Sequence, residues 1–174
     1  MLLLDTSRSM DWGQPTKLHL ARQIAGALAY IGLSHDDRVG VAALGNDIGA
    51  YLPPLGNRAN VWQVWEFLES LQCRGGTDLG KALASLRRLR PSPGLSVVLT
   101  DLLTESDWRR GLLALLGLRQ EVVLAQVLAP EELEPGISGD WQLVDDEDER
   151  PLDVTLTPRA VKMYRERLGS YVRE

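Results

Sequence analysis

Two rhythms of apolar residues alternate along the chain. Short unbroken runs occur at LLL (2–4), RVGVAALG (38–45), LSVVLTD (95–101) and EVVLAQVL (121–128), with the length and branched content of strands buried on both faces. Between them the apolar residues recur at helical spacing. Leu20, Ala21, Ile24, Leu28 and Ile31 mark a helix over 17–33, and Trp65, Leu68 and Leu71 mark another over 61–71. A third helix is expected over 79–89, stopped near Pro91, and a fourth runs from a Ser106 cap through Leu116. IGAYL (48–52) pairs with the second strand as a hairpin partner, while WQLVD (141–145) and LDVTL (152–156) flank DDEDER as a surface hairpin. Pro158 after Thr157 opens a last helix to about Val172. The order β-α-β-β-α-α-β-α-β predicts an α/β fold. Its sheet is open, mostly parallel and doubly wound (Rossmann-like), with one antiparallel edge strand and helices on both faces.

Composition narrows the classes. With 174 residues, 44% hydrophobic and 25% charged, residues 1–174 read as a single globular domain. The net charge of −5 and pI of about 5.1 argue against nucleic-acid or anionic-membrane partners, either of which needs a basic patch. Cys73 stands alone, so no internal disulfide forms and a reducing compartment suits the chain. No apolar run approaches the roughly 20 residues of a membrane span, and no signal peptide is visible. MLLLDTS begins in mid-strand, so the reading expects a domain truncated at its N-terminus and excised from a longer protein whose upstream residues complete the first strand. DDEDE (145–149) is the only charge run and is read as a solvated hairpin tip.

GGTDLGKA (75–82) comes within one residue of a phosphate-binding loop. It fails on three counts: a helix rather than a strand precedes it, Ala82 removes the magnesium-holding hydroxyl, and Asp78 puts a negative charge in the cradle. Asp78 reads better as a helix cap. The same segment has a second use. The first strand ends in DTSRS, with Asp5, Ser7 and Ser9 at every second position, and the LSVVLTD strand ends in Asp101. In an open parallel sheet both sit at the carboxyl edge, where ligands bind, and Thr77 reaches the same crevice from its loop. The set holds two carboxylates and three hydroxyls, which is hard-oxygen chemistry suited to Mg²⁺. Each piece has a plain structural explanation by itself: DTSRS as a turn, Thr77 or Asp78 as a cap. Asp101 behind a buried strand resists that explanation, because a carboxylate there needs a partner.

These motifs resemble the von Willebrand factor A-type (vWA) domain. Its metal-ion-dependent adhesion site (MIDAS) runs D-x-S-x-S, then a distant Thr, then a distant Asp, here Asp5, Ser7, Ser9, Thr77 and Asp101. DTSRSM, DRVGVAAL, RGGTDLGKAL and LTPRAVKMYRERL further resemble a bacterial group catalogued as domain of unknown function 58, often encoded near MoxR-type AAA+ ATPases. The resemblance covers essentially the whole chain. It implies Mg²⁺ or Mn²⁺ at the five positions, held chiefly by the hydroxyls, with the carboxylates acting partly through water. It also implies a protein partner supplying a Glu or Asp carboxylate, with a MoxR-type ATPase expected. The implied location is cytoplasmic, with a parent protein anchored in the membrane and no direct membrane contact from this segment.

Two functions from different classes compete. One is a metal-dependent protein-interaction module. The other is a metal-dependent hydrolase or phosphatase on the same site, which needs a nucleophile and a placed acid or base that the motifs do not supply. The non-enzymatic reading is preferred, with no ATP binding expected. His19 and His35 read as structural or surface residues, Trp62 and Trp65 as packing residues, and Asp11 as either a support to the site or solvent-facing; an exposed rim beside the metal loop is the minority alternative for Trp12.

Overall fold

Three leucines in a row leave a strand no polar face, so it must lie inside a sheet covered on both sides. In the computed structural model, which describes residues 1–104, 106–134, 139–144 and 151–171, β1 (Leu2–Asp5) is wholly buried and central. It pairs in parallel with β2 (Val39–Leu44) and with β4 (Gly94–Thr100). β3 (Ile48–Leu55) runs antiparallel to β2 and β5 (Gln120–Gln126) parallel to β4, giving the five-stranded order β3-β2-β1-β4-β5. β3 forms one edge, carries Pro53 and Pro54, and is joined to β2 through two register shifts.

Alternation along each strand assigns the layers. Leu2, Leu4, Val41, Ala43, Val97 and Leu99 share a core with Leu18, Ala21, Ala25 and Leu33 of α1 (Lys17–Ser34) and Val64 and Leu68 of α2 (Val61–Ser70). The intervening Leu3, Ala42, Leu44 and Val98 are equally buried but lie outside that cluster. α3 (Leu79–Ser85) contacts the sheet at β2 and β3, and α4 (Trp108–Gly117) contacts it at β5. Helices therefore cover both faces, as the periodicity predicts.

α3 and α4 cross almost backbone to backbone. A Cβ on Gly80 would lie 2.4 Å from the Asp107 carbonyl oxygen, and one on Gly111 would lie 2.9 Å from that of Gly80. Glycine is required by this approach rather than by backbone angle.

Three local expectations are corrected. α4 is capped by Asp107, whose carboxylate accepts from Arg110 N at 3.2 Å, and not by Ser106. The Ser106 hydroxyl is committed to Gly80 N and to Thr104 Oγ1 instead. Trp62 does not pack in the core and is 70% exposed, because α2 buries Val61, Val64 and Leu68, and position 62 falls off that stripe. Trp65 does pack, donating Nε1 to Gly26 O at 3.1 Å with its ring edge-on to Trp62. The third helix is shorter than expected: it stops at Ser85 and tightens into a 3₁₀ turn over Leu86–Leu89, ending on a left-handed Arg90.

The chain gathers into two compact units, Met1–Val127 and Leu128–Glu174, where the sequence reading takes one domain. In the second unit the predicted hairpin is present: β6 (Gly139–Val144) pairs antiparallel with β7 (Pro151–Leu156). The acidic run 145–149 and Val172 lie outside the described residues. Thr157 Oγ1 accepts from Ala160 N at 3.1 Å and caps α6 (Pro158–Tyr171). A short helix not anticipated from the sequence, α5 (Pro130–Leu133), is tied to α6 by the Tyr164 hydroxyl donating to Glu132 O. Among the described residues no helix is long and apolar enough to cross a membrane.

Candidate metal centre

β1 delivers Asp5 at its carboxyl end, and the chain turns at once. Ser7 N donates to Asp5 Oδ1 at 2.9 Å, an Asx-type turn. A 3₁₀ turn over Arg8–Asp11 follows and leaves the Ser7 and Ser9 hydroxyls 3.0 Å apart. The loop before α3 is laced to this one by two backbone bonds, Arg8 N to Gly75 O and Arg74 N to Thr6 O. Gly75 has φ of +64°, a left-handed angle glycine adopts without penalty. Held this way, Thr77 Oγ1 donates to Asp5 Oδ1 at 3.1 Å, joining residues 72 positions apart. Thr100, the last residue of β4, donates Oγ1 to Asp5 Oδ2 at 2.7 Å. Asp5 is thus the hub on which the first and fourth strands and the 74–77 loop meet.

Asp101 lies one residue beyond β4. Its Oδ1 accepts from Leu103 N at 2.9 Å, and its Oδ2 accepts from Lys17 Nζ at 2.7 Å in a buried ion pair. The peptide after it turns through Leu102 at φ +60°, an angle costing about 1–2 kcal/mol in a non-glycine residue and held here by Thr100 Oγ1 accepting from Leu102 N.

Burial pushes the Asp5 carboxyl above the usual carboxylate range, and the negative charge of Asp101 pushes the same way. Hydrogen bonds from Thr100 and Ser7 pull it back without cancelling the rise. A desolvated carboxylate beside a second one favours a cation. Asp5, Ser7, Ser9 and Thr77 are joined in a chain of hydrogen bonds, Thr77 to Asp5, Asp5 to Ser7 and Ser7 to Ser9. Among the described residues no three His, Cys, Asp or Glu side chains cluster to hold a metal; hydroxyl and carboxylate oxygens of this kind are the donors that hard cations take. Asp101 is engaged on both oxygens. A carboxylate offers about four acceptor sites, so two remain.

The two residues missed from the sequence are Lys17 and Thr100. Lys17 carried a signal: a lysine opening a helix sets its charge against the helix dipole and calls for a compensating partner. Thr100 also carried one, as a hydroxyl closing a buried apolar strand. The other expectations resolve simply. Asp78 caps α3 by accepting from Lys81 N at 2.9 Å. The His19 ring is hydrogen-bonded to Gln23 and the His35 ring to Ile31 O. Asp11 is exposed, and Trp12 is 59% exposed beside the loop, its carbonyl accepting from Lys17 N.

Cys73 is half-buried just ahead of the 74–77 loop. Burial, with the charges of Asp11 and Asp5 adding to it, pushes its thiol up to about 12. The thiolate is the reactive form, so alkylation at neutral pH is expected to be at least about tenfold slower than for free cysteine. Iodoacetamide labelling followed by mass spectrometry reads this directly, and full reactivity would show the thiol to be solvated.

Comparison with known proteins follows the fold. An aerotolerance-related membrane protein from Bacteroides fragilis superposes with a TM-score of 0.63 at 22% identity, over 95% of this chain and 85% of that one. BatB from Bacteroides thetaiotaomicron superposes with a TM-score of 0.62 at 20% identity, over 95% and 83%. At these identities the likeness is one of fold. An uncharacterised protein of Mycobacterium tuberculosis is 28% identical over 151 residues, covering 84% of this chain and 47% of the relative. The chain therefore spans about half the length of the curated relatives it matches. The family described as "Protein of unknown function DUF58" matches residues 1–173, and the chain belongs to that family.

Proposed function

We propose that Asp5, Ser7, Ser9, Thr77 and Asp101 form a MIDAS in a vWA-like domain, and that the domain is a metal-dependent protein-interaction module rather than an enzyme. The observation that carries this reading is the convergence of Ser7, Thr77 and Thr100 on the Asp5 carboxylate from three separate stretches of chain. Asp5 organises the centre, the Ser7, Ser9 and Thr77 hydroxyls are neutral donors to a cation, and Asp101 supplies charge from the neighbouring strand. Mg²⁺ or Mn²⁺ bound there would supply an electrostatic attraction for an external carboxylate. The partner is a protein presenting Glu or Asp, and the family resemblance points to a MoxR-type AAA+ ATPase. The hydrogen bonds of the two histidine rings go to Gln23 and Ile31 O, so neither supports an imidazole acid or base for the hydrolase reading. One structural neighbour is described as a membrane protein, in keeping with a membrane-anchored parent that holds this domain at the cytoplasmic side.

Titration calorimetry is expected to show one Mn²⁺ or Mg²⁺ site in the wild-type chain, weakened at least about 100-fold in Asp5→Ala, since both the charge and the anchor of three hydroxyl-bearing residues are lost. Undiminished binding in that variant would place the metal elsewhere.

A further inference from the structure

Lys17 sits where physical chemistry disfavours a lysine. It opens α1, so its charge opposes the helix dipole, and it is only 2% exposed, so its ammonium is stripped of water. Its backbone is fixed by Trp12 O and its Nζ lies 2.7 Å from Asp101 Oδ2. Among the described residues the buried charges are Asp5 and Asp101, each minus one, and Lys17, plus one. Of the other charged groups nearby, Arg8 and Asp11 are exposed and Arg22 is turned to the Leu71 carbonyl.

Building on the metal reading above, we propose that Lys17 is the specificity-determining residue of the centre: it cancels one of the two carboxylates, so the cation-loaded site keeps one net positive charge and selects an anionic ligand. Adding a dication to the three charges gives plus one, which a single external carboxylate neutralises. Without Lys17 the two aspartates alone would balance the dication, the loaded site would be neutral, and its pull on a partner's Glu or Asp would fade. The ammonium thus works against cation affinity and in favour of anion affinity. A residue serving only to hold Asp101 in place would support both together.

The test is Mn²⁺ titration of the whole chain by calorimetry, in acetate and in chloride at matched ionic strength, alongside thermal melts with and without Mn²⁺. In the wild type, acetate is expected to tighten Mn²⁺ binding, because the two ligands are linked. Lys17→Met is expected to bind Mn²⁺ at least about tenfold more tightly, since the cation paired with Asp101 is gone. It should also lose the acetate effect, melt lower without metal because Asp101 is left unpaired, and gain more on adding Mn²⁺. If Lys17→Met does not fold without Mn²⁺, Lys17→Gln, which keeps a donor for Asp101, is held to the same two titrations. Lys17→Arg, which keeps the charge, should retain the acetate effect. Equal or weaker Mn²⁺ binding in the uncharged variants, or an acetate effect that survives in them, overturns the role given to Lys17 while leaving the metal site standing. Failure of the wild type itself to bind Mn²⁺ overturns the metal reading.

Discussion

Binding of the acidic partner is expected to disappear in EDTA and to fall about 10–100-fold in Thr77→Ala, with the fold intact. Thr77 touches Asp5 through its hydroxyl and the Thr104 hydroxyl through its carbonyl. The substitution removes only the first contact, so the 74–77 loop keeps its backbone ties to Thr6 and Arg8. Circular dichroism and melting should therefore change little while the interaction is lost. The domain's net charge of −5 repels an acidic partner at long range, so attraction must come from the cation and its rim. Mutating a single Glu or Asp on the partner should mimic chelation. A MoxR-type ATPase captured equally well in EDTA would show that the metal is not the interface, even with the fold correct.

The second large effect is on stability. Gly80→Val is expected to destabilise the fold by about 3 kcal/mol, as overpacking against rigid backbone costs. The new Cβ would lie 2.4 Å from the Asp107 carbonyl, and neither helix backbone can yield as a flexible side chain would. α3 begins two residues after Thr77, so forcing the helices apart should also weaken Mn²⁺ binding in any molecules that remain folded. Gly117→Ala is the control. Its Cβ would meet nothing within 4 Å, and alanine suits a helix better by up to about 1 kcal/mol. Denaturant melts that leave Gly80→Val as stable as Gly117→Ala would show that the crossing accommodates a side chain at position 80.

Much of this was legible in the sequence because burial writes itself into periodicity. LLL, VGVAAL and LSVVLT have no polar face to offer water, so they read as interior parallel strands, and the helical stripes between them read as their covers. The five candidate positions stand out in the sequence because they lie at strand ends and in loops; the structure links Asp5, Ser7, Ser9 and Thr77 by hydrogen bonds, while Asp101 bonds Leu103 and Lys17. What could not be read were relations set by tertiary contact. Asp107 displaces Ser106 as the cap because the Ser106 hydroxyl is claimed by α3, and no local pattern encodes that claim. Trp62 reads as packing by its chemistry, yet its phase on α2 turns it outward. Lys17 signals in the sequence only that a helix-opening lysine needs a partner; that the partner is Asp101, 84 positions away, is set by the fold.

The outer strand β3 has a bearing on how copies of this molecule behave together. A sheet margin invites another chain to add a strand through its unsatisfied N–H and C=O groups. Pro53 and Pro54 have no N–H to offer, and the two register shifts against β2 bend the strand away from the flat ladder a newcomer would need. On this flank the sheet refuses templated growth, so a crowded population of these domains is protected there from sheet-to-sheet fusion, and contact between copies is left to surfaces that recognise side chains.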